Sequence, residues 1–83
     1  MRSLESLIKE CKKYSESGPY NYLRASLEEM SHLNLKEQSS KDLRALTELL
    51  EKIETLNSSQ NVWHLTRRGI ERAINKIREN LKN

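Results

Sequence analysis

The chain has 83 residues, 35% of them apolar and 33% charged, and a formal net charge of +3. That length holds a single domain, residues 1–83, with a thin core that buries about 60–65% of the unfolded surface. Two glycines and one proline are too few for a sheet of several hairpins, and one cysteine excludes an intramolecular disulfide, so the expected class is all-α.

The first helix is expected over about 3–16. Leu4, Leu7, Ile8, Cys11 and Tyr14 recur at i, i+3, i+4 and i+7, the period of one buried helix face. Ser3 is the candidate N-cap, and Gly18-Pro19 supplies the stop. Pro19 also suits the first position of a second helix over 19–33, where Tyr20, Leu23, Leu27 and Met30 share a face. Residues 34–38 break the period and read as a loop. A third helix is expected over 40–56, opened by Ser39 with Asp42 three residues on, a near-match to a capping box. Asn57-Ser58-Ser59 is expected to close it and cap a fourth helix over 59–82. In that last helix Val62, Trp63, Leu65, Ile70, Ala73, Ile74, Ile77 and Leu81 gather on one arc, together with Thr66 and Gly69. Gly69 costs about 1 kcal/mol relative to Ala inside a helix. It marks either a close helix approach or a break, with continuity preferred. The expected architecture is a compact four-helix bundle-like domain.

The positive charge is concentrated at one end of the sequence. Residues 67–83 hold six basic and two acidic side chains, a net of +4, and the remainder of the chain is −1. Such an asymmetry permits an acidic partner without requiring one.

Catalytic chemistry has little to work with. The two histidines, His32 and His64, stand alone, and no CxxC, HxxH or HExxH spacing, Gly-rich phosphate loop or nucleophile motif occurs. Cys11 lies on an apolar face and reads as a buried structural thiol. The expectation is therefore a protein that is not an enzyme, with no cofactor, metal or small-molecule substrate. The N-terminus has no apolar run of signal-peptide type, and no stretch reaches the ~18 apolar residues of a membrane span. A cytoplasmic protein with no membrane partner is expected.

Three surfaces remain as candidates. Tyr14, Tyr20 and Tyr22 cluster at the Gly18-Pro19 corner, and tyrosines suit protein interfaces because they join apolar area to a polar tip. Arg68, Arg72 and Lys76 form a ladder of one cation per turn, with Arg67 and Arg78 on the other flank, a pattern that can follow a nucleic-acid backbone. Leu49, Leu56, Val62 and Leu65 edge the apolar arcs and offer a homodimer seam or a dock for a partner helix. The preferred function is a small protein-binding regulator, adaptor or inhibitor that presents a helix face or the tyrosine corner. The alternative is a nucleic-acid-binding regulator that uses the basic face, as a dimer.

Leu27-Glu-Glu-Met-Ser-His-Leu33, followed by Leu50 and Ile53, resembles the helical-bundle domain at the N-terminus of transcription elongation factors. Leu65-Thr-Arg-Arg-Gly69 resembles a motif of that domain in a different register. Residues 57–74 are loosely similar to small enterobacterial biofilm regulators of another length. No site residue is carried over from either resemblance.

Overall fold

Helix α1 (Leu4–Ser17) starts on its expected cap. Ser3 is extended, and its hydroxyl accepts a hydrogen bond from the Ser6 backbone N–H at 3.2 Å, which satisfies one of the first-turn donors. Gly18 ends the helix with φ +66°, a region that a Cβ disfavours, and its N–H donates to the Tyr14 carbonyl at 2.8 Å. The coordinates are a computed structural model that describes residues 2–59 and 61–83.

Helix α2 (Tyr20–Met30) is shorter than the periodicity suggests. Pro19 occupies the N-cap position, just before the first helical residue. At the other end, His32 and Leu33 donate to Glu29 and Met30, tightening the chain into turns before 33. The segment expected as a loop contains a 3-10 turn, Leu35–Glu37, whose Leu35 is buried. Helix α3 (Ser40–Ser59) begins as expected, with the Ser39 hydroxyl accepting from the Asp42 N–H at 3.1 Å. It runs past 56, because the Ser58 and Ser59 hydroxyls donate back to the Thr55 carbonyl and do not cap a new helix. Helix α4 (His64–Lys82) accordingly starts at His64 and not at 59, and is unbroken through Gly69.

The four apolar stripes close on one core. Leu4, Leu7, Ile8 and Cys11 of α1 meet Leu23, Leu27 and Met30 of α2, Leu46, Leu49, Leu50 and Ile53 of α3, and Ile70, Ala73, Ile74 and Ile77 of α4. Each fully buried Leu or Ile contributes about 1.5–3 kcal/mol of transfer free energy. Among the described residues the architecture is all-α, without strands.

Paired contacts at the helix ends set the directions. Arg2, just ahead of α1, hydrogen-bonds Glu29 near the end of α2 at 2.8 Å, while Tyr14 meets Tyr22 at 5.4 Å between ring centroids. Helices α1 and α2 are therefore antiparallel. Thr66 reaches Asn21 at 2.7 Å and Asn80 reaches the Ser31 carbonyl at 3.0 Å, so α2 and α4 run the same way. Helix α1 packs on α2 and α3, and α4 on α2 and α3, giving the ring order α1–α2–α4–α3. The Gly18-Pro19 corner and the start of α4 lie at the same end of the molecule.

Candidate binding surface

Two of the tyrosines touch. Tyr14 and Tyr22 meet edge to face with an interplanar angle of 63°, a geometry worth about 0.5–1.5 kcal/mol beyond area burial. The Lys13 ammonium stands 5.5 Å from the Tyr14 ring centroid. Tyr20 turns inward and lines a small recess with Leu56, Val62 and Ile70. Tyr22, 57% exposed, is the member of the trio that faces outward.

The apolar arc expected for the last helix divides at its start. Thr66, Ile70, Ala73, Ile74 and Ile77 are buried, but Trp63 is 63% and Leu65 51% exposed. Because the helix begins at His64, Trp63 lies outside its phase. Val62 is buried from the incoming connection. Of the expected homodimer seam, Leu49 and Val62 are in the interior and Leu56 is half-buried, leaving Leu65 exposed. Tyr22, Trp63 and Leu65 are the exposed large apolar side chains among the described residues. All three lie at the end of the bundle that holds the N-termini of α2 and α4. Sequence periodicity names Leu65 only as one edge of the homodimer seam and places Trp63 on the buried arc. The available signal was the lack of any Ser, Thr, Asp or Asn immediately before His64, which marks an uncapped helix start.

The basic side chains of α4 separate into two sets. Arg78 pairs with Glu54 of α3. Arg67 is half-buried, and its backbone carbonyl accepts from Asn57 Nδ2 at 3.2 Å. Arg68, Arg72 and Lys76 are exposed and take part in none of the ion pairs among the described residues. Arg72 and Lys76 line a groove of ≈ 310 Å³ between α2 and α4, with Arg24, Glu28, His32 and Leu65 also on its walls. At Gly69 the floor is formed by the aliphatic stem of Arg24, which a Cβ would overlap. The Arg24 guanidinium ends on Glu28 at 2.8 Å.

Reactive groups are sparse. Burial pushes the Cys11 thiol up to about 12, so the thiolate that a nucleophile or metal ligand requires is suppressed. The hydrogen bond from Arg2 holds the Glu29 carboxyl below the usual range. Among the described residues, no three His, Cys, Asp or Glu side chains are grouped as metal ligands would be. No helix among them is long and apolar enough to cross a membrane.

No protein-family model matches this sequence, and no curated protein or solved structure is significantly similar to it.

Proposed function

We propose that the protein is a small non-catalytic binding module that docks another protein on the end of the bundle carrying Tyr22, Trp63 and Leu65. The observation that carries this reading is the gathering at one end of the three exposed large apolar side chains. Scattered single exposures are ordinary on a surface, whereas clustered ones mark interaction sites. Tyr and Trp are also the residue types that most often anchor protein interfaces. The tyrosine corner contributes through Tyr22, with the Tyr14 ring packed edge to face against it. The role would be that of a regulator, adaptor or inhibitor acting by occupancy.

Affinity capture with the wild-type chain and a Trp63→Ser, Leu65→Ser variant tests the reading. Both positions are exposed, so the variant keeps its helical circular dichroism. A protein retained by the wild type and lost by the variant supports the reading. Retention indifferent to both substitutions overturns it.

A further inference from the structure

The groove between α2 and α4 presents charge that the fold does not itself neutralise. Resting on the docking role of the Trp63 and Leu65 end, we propose that the partner segment is an acidic amphipathic helix. It lays its apolar side on Trp63 and Leu65 and its carboxylates along Arg68, Arg72 and Lys76.

Three observations converge on that chemistry. First, Arg2, Arg24 and Arg78 are paired with carboxylates, whereas the three cations of the ladder have no ion-pair partner among the described residues. Arg72 and Lys76 share one wall of the groove, so an acidic partner complements the charge there. Second, Leu65 belongs to both features: it is one of the exposed apolar side chains and it also lines the groove. Third, the spacing fits. From Leu65 to Lys76 the surface runs about 16 Å along α4, which three turns of a partner helix cover. Acidic residues four apart on that helix repeat with the same period as Arg68, Arg72 and Lys76. Helix-in-groove recognition uses this combination of an apolar face and spaced anchors.

A nucleic-acid backbone fits less well. Glu28 stands on the facing wall and already holds Arg24, so a continuous phosphate track would meet that carboxylate, whereas a helix with carboxylates on one stripe can set them against Arg72 and Lys76 and keep them off the Glu28 wall. Three ladder cations would also give only a shallow salt dependence of binding.

The test is selection of random helical peptides of roughly 14 residues on the immobilised protein, with the enriched sequence then synthesised. The expected winners carry acidic residues at four-residue spacing beside aromatic or aliphatic anchors. The synthetic peptide shifts the emission of Trp63, the only tryptophan. Arg72→Glu with Lys76→Glu weakens its binding by about tenfold or more, and replacing the peptide's Glu with Gln does the same to the wild-type protein. Enrichment without acidic bias, or binding unmoved by both charge changes, overturns the acidic-helix proposal and leaves docking at Trp63 and Leu65 standing. Absence of any Trp63-dependent enrichment overturns both. Displacement of the peptide by a random DNA duplex of higher affinity overturns the proposal in favour of nucleic acid.

Discussion

Thr66 Oγ1 donates to Asn21 Oδ1 at 2.7 Å, joining the first turns of two helices that run in the same direction. Asn21 precedes Tyr22 and Leu65 precedes Thr66, so this bond brings the exposed tyrosine and the exposed leucine to one end. Thr66 is buried and Asn21 is exposed. Thr66→Val keeps the shape of the side chain and lets Asn21 return to water. The expected loss is about 1 kcal/mol, the net worth of one hydrogen bond, read from the urea unfolding midpoint.

Trp63 occupies the N-cap of α4 without a side-chain hydrogen bond. An Asp there accepts from a first-turn N–H and places negative charge at the positive end of the helix dipole. Trp63→Asp is therefore expected to raise stability by about 1 kcal/mol while removing partner binding. Thermal unfolding checks the first half, and retention of the partner the second.

Gly69 and Arg24 are expected to be coupled. Ala at 69 gains about 1 kcal/mol of helix propensity, but its Cβ displaces the Arg24 stem, which then gives up its contact with α4 and its place beside Glu28. In an Arg24→Ala background the full gain returns. A double-mutant cycle should give a coupling of at least about 0.5 kcal/mol, with Gly69→Ala more favourable when Arg24 is shortened.

The Cys11 thiol is raised from its ordinary value of 9.0 to about 12 by burial. A raised folded-state pKa means that the unfolded chain loses its proton first. The stability this group contributes is present below pH 9 and is lost as the pH climbs toward 12. Between those values the wild type should lose stability more steeply than Cys11→Ala. At neutral pH a disulfide reagent should modify Cys11 only after unfolding, and rapid modification of the native protein would contradict the burial.

Much of this fold is legible in the sequence, and each departure has a physical cause. Ser3 and Ser39 are caps because each hydroxyl lies three residues before an N–H that it can reach, a local rule visible in the sequence. The stripes of α1, α2 and α3 follow from a period of 3.6 residues. Periodicity fails around the α3–α4 connection: Ser58 and Ser59 bond backward to Thr55 within α3, and Gln60, part of the expected fourth helix, lies outside the described residues. Trp63 and Leu65 were then projected onto a helix face that does not yet exist at 63. Leu35 reads as a loop residue in the sequence, because its burial depends on the packing of its 3-10 turn against α4 and not on its neighbours in the chain. The division of the cations also depends on tertiary packing: Arg78 finds Glu54 across the α3–α4 seam, while Arg72 and Lys76 line the groove beside α2 and Arg68 is exposed. The tyrosine cluster was found at the right corner, but only the fold separates outward-facing Tyr22 from inward-facing Tyr20.

The most direct measurement is site-specific photo-crosslinking in cells, with the reactive group placed in turn at positions 22, 63 and 65, and at the exposed Glu48 of α3 as the control. The account predicts one discrete protein adduct, shared by 22, 63 and 65 and missing from 48. Adducts that are equally strong from 48, or missing from all three apolar positions, would contradict it.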